Sequence, residues 1–446
     1  MHTLEQLQAG ELAGATRVKL SCNLTEVPSE IFDLAETLEI LDLSGNHLTS
    51  LPDAFTRLQN LRIAFFSDND FTVFPEVLGK LPRLEMIGFK ACQIGHIAED
   101  AIPHTTRWLI LTNNQIAELP ASIGKCTRMQ KLMLAGNKLK ALPPELASCQ
   151  NLELFRISAN QITHLPDWLF SLPRLSWLAI SGNPCNPPAS TATDLPEISW
   201  QDLVLEEQLG EGASGIISRA HWQNRANSTH QVAVKVFKGE VTSDGLPEDE
   251  MQACMRAGAH PNLVQVLGKL GQHPAQKQGL VFELIPAGYR NLGGSPSFES
   301  CTRDVYAEDT VFTLEEAISI SLGVASATAH LHARGISHGD LYAHNTLVDE
   351  TGHPLFGDFG AATVYDQANT TLATALERLE VRAFGCLLED LLDHLTPEAM
   401  AQERAQRLLQ LKQVCMQPEV QNRPAFSFIV EQIESISKQV MPSSLN

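Results

Sequence analysis

The stretch LEILDLSGNHLTSLP, Leu38 to Pro52, decides the first half of the chain because it recurs. Its landmark Asn46 is followed by Asn69, Cys92, Asn114, Asn137, Asn160 and Asn183, at intervals of 23, 23, 22, 23, 23 and 23 residues. An earlier, shorter unit, VKLSCNLTEVP, brings the number of units to eight. A fixed period of this length signals a stack of like units, because one unit cannot bury its apolar face alone while a stack can.

These residues fit L-x-x-L-x-L-x-x-N/C-x-L and resemble the leucine-rich repeats, which implies an α/β solenoid over residues 1–187. Each unit should form a short strand whose leucines point inward, with the Asn or Cys side chain satisfying backbone groups at the turn. The positions between the leucines should form a solvated concave face. They include Ile40, Ile63, Phe65, Met86, Trp108, Ile110, Met133, Leu154 and Trp177. An exposed apolar face of that extent marks an interface with another protein or with the chain's own second half.

A Pro-, Ser- and Thr-rich stretch, NPPASTATDLPEISW, loses the period and reads as a linker at 188–200. Beyond it, LGEGASGI places Gly210, Gly212 and Gly215 in G-x-G-x-x-G spacing, with the β-branched Ile217 two residues on. Glycines there let two strands turn tightly and let backbone N–H groups approach phosphate. The apolar strand VAVKVF then carries Lys235, an ammonium that needs a partner if buried. Farther on, HGDLYAHN holds Asp340 and Asn345, and Asp358 opens DFG.

Taken in order, these motifs and the closing RPAF resemble the protein kinases, from about residue 203 to 437. The resemblance implies an α+β two-lobed domain at 201–446 that uses ATP and Mg2+. It gives Asp340 the role of base or hydroxyl-orienting carboxylate and Lys235 that of phosphate partner. Glu250 is the choice for holding Lys235, with Glu248 and Asp249 as alternatives. Gly210, Gly212, Gly215, Ile217, Ala233, Lys235, Glu283 and Leu284 would surround the nucleotide, with Phe282 as gatekeeper. Asn345 and Asp358 would hold the metal. An insert between AGYRNLGG and AEDTVFT has no counterpart and no function legible in the sequence.

Three departures stand out. Gly339 replaces an arginine that binds an activation-loop phosphate in the family. Only 22 residues separate Asp358 from Glu380, about half the usual number, and no A-P-E motif is readable, leaving Glu377 as the acidic partner for Arg423. Tyr342 and His344 stand where serine/threonine kinases carry lysine and tyrosine kinases carry arginine.

The reading is an ATP-dependent protein kinase, serine/threonine by base rate, with the repeats for protein–protein interaction or autoregulation. Because HGDLYAHN also resembles aminoglycoside and choline phosphotransferases, a small-molecule kinase is one alternative, and a nucleotide-binding scaffold without turnover is another. The net charge of −20 argues against nucleic acid and acidic membranes as partners. Nine scattered cysteines without a C-x-x-C pair, and no long apolar run, point to a cytoplasmic protein, and a kinase this pared down resembles bacterial rather than plant-receptor enzymes.

Overall fold

Each landmark asparagine works as a two-sided clamp between neighbouring units. In the computed structural model, which describes residues 2–186, 195–212, 214–223, 229–239 and 241–438, the Asn46 Oδ1 accepts N–H bonds from Cys22 and Leu24. Its Nδ2 donates to Leu20 O and Leu43 O. Asn69, Asn114, Asn137, Asn160 and Asn183 repeat the pattern, and in the fourth unit Cys92 Sγ reaches Phe66 O at 3.4 Å. The backbone polar groups left by the irregular turns are thereby satisfied inside the stack.

The chain divides into two units, the first being Met1–Leu175 with Gly182–Cys185 and Val241–Asp244. Its strands are β1 (Arg17–Lys19), β2 (Ile40–Asp42), β3 (Ile63–Phe65), β4 (Met86–Gly88), β5 (Trp108–Ile110), β6 (Lys131–Met133) and β7 (Leu154–Arg156), parallel and in order. Their register is unbroken: Ile40, Ile63, Met86, Trp108, Lys131 and Leu154 form one row. The middle row, Leu41, Ala64, Ile87, Leu109, Leu132 and Phe155, is fully buried and forms the core with the leucines of the turns.

The face expected to be solvated is not uniformly so. Ile63, Met86, Met133, Leu154 and Trp177 are buried, while Ile40, Phe65, Trp108 and Ile110 are half-buried. Parallel strands about 4.8 Å apart force long side chains in one row to cover each other. Phe65 lies against Gly88, and the Lys131 ammonium sits 4.2 Å from the Trp108 ring centroid. Arg156, 1% exposed, pairs through Nε with Asp244 Oδ1 at 2.7 Å.

The second unit comprises Ser176–Ser181, Asn186–Glu240 and Gly245–Asn446. It includes β8 (Trp177–Ala179), the strand of the last repeat. A six-stranded sheet follows, of order β10-β11-β12-β14-β13-β9. Its strands are β9 (Glu197–Ser199), β10 (Leu203–Glu211), β11 (Gly215–Gln223), β12 (Thr229–Phe237), β13 (Val266–Gly271) and β14 (Gly279–Glu283). Its core is aliphatic, built from Ile198, Leu203, Val232, Val234, Leu270 and Val281. Helix α1 (Leu4–Gln8) opens the chain, and α2 (Pro247–Ala257) runs between β12 and β13 in sequence. The linker expected at 188–200 lies partly outside the described residues, which resume at 195.

The remainder is helical. α3 (Leu314–His332) starts at a Thr313–Glu316 capping box, and α4 (Thr370–Asp393) is the longest helix described. α5 (Pro397–Met400), α6 (Glu403–Cys415) and α7 (Phe426–Ser437) complete the bundle, with α7 packed on α3 and α6 on α4. Short strands β15 (Arg290–Asn291), β17 (Thr346–Val348) and β18 (Pro354–Phe356) form one sheet. β16 (Ile336–Ser337) pairs with β19 (Thr363–Val364) in another.

Candidate active site

The glycine-rich turn joins β10 to β11, closed by a bond from Gly212 N to Gly215 O at 2.9 Å. A Cβ on Gly210 or Gly212 would meet nothing within 4 Å, so these backbones stand open. At Gly215 a Cβ would lie 2.7 Å from Val236 O and 3.4 Å from Lys235 Cε. Ile217 stands opposite Lys235 in the sheet register, and Ala233 opposite Phe282. The amide of Glu283 is already engaged by Gln265 O at 3.0 Å.

Lys235 Nζ pairs with Glu250 Oε1, which α2 brings in on its first turn; the two side chains are 11% and 3% exposed. Three acids in that turn complement the positive end of the helix. Glu248 faces solvent, and Asp249, half-buried, has its pKa pushed up to about 6 by burial and by Glu248. Gly258, at φ +67, ends the helix. Burial opposes the Lys235 ammonium, but Glu250 and Asp358 outweigh it and hold the pKa above its ordinary value.

The loop that carries Asp340 and Asn345 is pinned from α4. Glu380, 2% exposed, accepts from Gly339 N at 2.7 Å through Oε1 and from His338 N at 3.2 Å through Oε2. The same Oε2 lies 2.7 Å from His332 Nε2. His338 is fully buried, stacked on Phe356 with its Nε2 2.9 Å from Gly357 O, and burial lowers its pKa. Asn345 Nδ2 donates to Asp340 Oδ2 at 2.7 Å, joining the two loop ends. Tyr342, 5% exposed, is stacked on Trp177 with ring centroids 4.3 Å apart. Trp177 Nε1 donates to Leu341 O at 2.9 Å.

His344 Nδ1 lies 2.6 Å from Asp304 Oδ1. Burial works against a charged ring there, and the Asp304 bond outweighs it, raising the His344 pKa.

Asp358 adopts φ +56 and is exposed, with Phe359 buried beside His338. Helix α4 begins at Thr370, only 12 residues after Asp358, so the short segment is absorbed into a helix. Glu377 Oε1 accepts from Phe426 N at 2.8 Å. Arg423 donates to Gln417 O and Arg378 O.

Sequence reasoning missed Asp304 and the part played by Trp177. Asp304 lies 36 residues before Asp340 in the insert without a motif, and Trp177 belongs by pattern to the repeats. Neither carried a local signal.

The residues suit a magnesium nucleotide. Open glycine backbones, a buried ammonium held by a carboxylate, and an exposed carboxylate near that ammonium are what phosphate and its metal need. Among the described residues no three His, Cys, Asp or Glu gather as a protein cage. Magnesium at nucleotide sites uses one or two protein ligands plus phosphate oxygens, and Asn345 and Asp358 suit that number.

Residues 203–385 match the family described as protein tyrosine and serine/threonine kinase. Residues 37–58 and 127–184 match leucine-rich-repeat families. The chain thus carries leucine-rich repeats in its N-terminal half and a protein kinase domain after them. It is 24% identical over 287 residues to a tyrosine-protein kinase receptor, TYRO3, of Danio rerio, covering 54% of this chain and 32% of that one. It is 30% identical over 185 residues to the serine/threonine-protein kinase PkaA of Streptomyces coelicolor (38% and 31%). To the serine/threonine-protein kinase STY46 of Arabidopsis thaliana it is 26% identical over 251 residues (48% and 41%). The chain thus spans less than half the length of each of these relatives. Among the described residues no helix is long and apolar enough to cross a membrane.

Proposed function

We propose that the chain is an ATP- and magnesium-dependent protein kinase that phosphorylates serine or threonine hydroxyls on a protein. The observation that carries this reading is the buried Lys235–Glu250 pair, its ammonium further stabilised by the charge of Asp358, in a chain that also joins Asp340 to Asn345. In this reading Gly210, Gly212 and Gly215 lie along the phosphates, with Ile217, Ala233, Glu283 and Leu284 around the base. Lys235, held by Glu250, orients the phosphates, and Asp340 orients the attacking hydroxyl. Asn345 and Asp358 hold magnesium, which when bound neutralises charge on the transferring phosphoryl group.

The division assigned is repeats at 1–187, linker at 188–200 and kinase at 201–446, in a cytoplasmic protein. Reduced cysteines, seven of them buried, favour a reducing compartment. The apolar concave row serves recognition of a protein or of the chain's own segments. The Arg156–Asp244 ion pair, made within the first unit, supports the second use.

A small-molecule acceptor is favoured by one observation: α4 follows Asp358 so closely that little chain remains to grip a peptide. Incubation with magnesium and labelled ATP, followed by mass spectrometry and phosphoamino-acid analysis, separates these outcomes. Label on serine or threonine is expected, with a loss of at least about a hundredfold in Asp340→Asn. Full transfer by Asp340→Asn overturns the site assignment, label only on tyrosine overturns the acceptor, and label only on small molecules overturns the substrate class.

A further inference from the structure

The insert after β14 reaches the catalytic loop at a buried carboxylate. Asp304, with its side chain 2% exposed, accepts from Ala343 N through Oδ2 at 2.6 Å and meets His344 Nδ1 through Oδ1 at 2.6 Å. Those residues lie between Asp340 and Asn345, whose separation sets the distance between acceptor hydroxyl and metal in the proposed reaction. A buried carboxylate is costly unless its oxygens are bonded, and both oxygens are bonded to this one loop.

The carboxylate is itself anchored. Arg303 Nη1 donates to Glu389 Oε2 at 2.7 Å, and its Nη2 donates to Cys386 O at 3.1 Å and to Asp390. All three acceptors are on α4, the helix whose Glu380 holds Gly339. Val305 exchanges both backbone bonds with Gly294, at 2.8 and 3.0 Å. Asn291 Nδ2 donates to His344 O, and β15 pairs with β17 directly after the loop. At Gly293 a Cβ would lie 3.0 Å from Ala343 Cβ and 3.1 Å from the Tyr306 ring. The insert backbone therefore lies directly on the loop, which hangs from α4 at both ends: through Glu380 upstream and through Arg303–Asp304 downstream.

We propose that Asp304 is a positioning residue for phosphate transfer, and that the insert is a built-in brace holding the loop from Asp340 to Asn345 in its working shape. The brace needs no phosphate and so serves where Gly339 has removed the usual phosphate-binding arginine. This rests on the kinase reading above.

The test compares full-length wild type, Asp304→Ala and Asp304→Asn by steady-state phosphate transfer and by hydrogen exchange of the peptide spanning His338 to Thr346. Asp304→Ala is expected to lower kcat roughly ten- to a hundredfold while the KM for ATP stays within about twofold, since loop placement and not nucleotide binding is disturbed. Exchange should rise in that peptide and not in the one carrying Lys235. Asp304→Asn keeps an acceptor for the Ala343 amide and should recover part of both; it serves as the main comparison if Asp304→Ala does not fold. Unchanged kcat in Asp304→Ala, or in Asp304→Asn no recovery of kcat together with a raised KM for ATP, overturns the brace and leaves the kinase reading intact. Wild type without any transfer overturns both.

Discussion

The Gly339 amide donates to Glu380 Oε1 at 2.7 Å while Gly339 itself sits at φ +71. A Cβ there would come within 2.6 Å of Ala361 O and 2.8 Å of Leu178 O. The conformation and the crowding both exclude a side chain, so the glycine is required where it stands. Restoring the family's arginine, Gly339→Arg, is expected to destabilise the fold, and Gly339→Ala to do so by about 1–3 kcal/mol. Urea unfolding measures this; an alanine variant as stable as wild type would contradict it.

Trp177 covers Tyr342 with its ring planes 8° from parallel and bonds to Leu341 O. Trp177→Phe keeps an aromatic partner and loses the hydrogen bond, at about 0.5–1.5 kcal/mol. Trp177→Ala should cost about 3–5 kcal/mol and lower phosphate transfer more than ATP affinity. Nucleotide titration beside a transfer assay checks the split.

Asn114 accepts from Ile94 N and donates to Phe89 O and Leu111 O, all buried. Asn114→Ala strands these groups and should cost about 3 kcal/mol. Asn114→Cys should cost less, because Cys92 already fills this place with a bond to Phe66 O. Thermal melts of the two variants should rank in that order.

His260 has its pKa lowered to about 4 by burial, with His330 and Arg334 adding positive charge nearby. Its Nδ1 accepts from Asn262 N, and its Nε2 faces Ser326 Oγ, a pattern that a neutral ring satisfies. Unfolding frees it to protonate below its ordinary value of 6.5. Its contribution is therefore fully present above pH 6.5 and is lost as pH falls toward about 4. Unfolding midpoints at pH 7.5 and 5 should differ less in His260→Asn than in wild type.

Much of this was legible in the chain. Repeats declare themselves through a constant spacing of one residue type, since every unit solves the same backbone problem with the same side chain. Lys235, Asp340, Asn345 and Asp358 could be picked out because their order and local spacing resemble the protein-kinase motifs. The sequence favours Glu250 as the partner of Lys235 with Glu248 and Asp249 as alternatives, and the helix phase brings Glu250 to the ammonium. The concave face read as solvated because a pattern assigns faces and cannot say what covers them.

By itself the sequence determined two architectures, a 23-residue repeat stack and a kinase domain, because periodic burial and phosphate-binding spacing are local properties. Only the tertiary structure decided why Gly339 must be glycine, what packs on Tyr342, and which loop the insert touches. Each answer depends on a residue far away in the chain, Glu380, Trp177 or Asp304, and such contacts are set by how helices and strands pack rather than by anything written beside the motif.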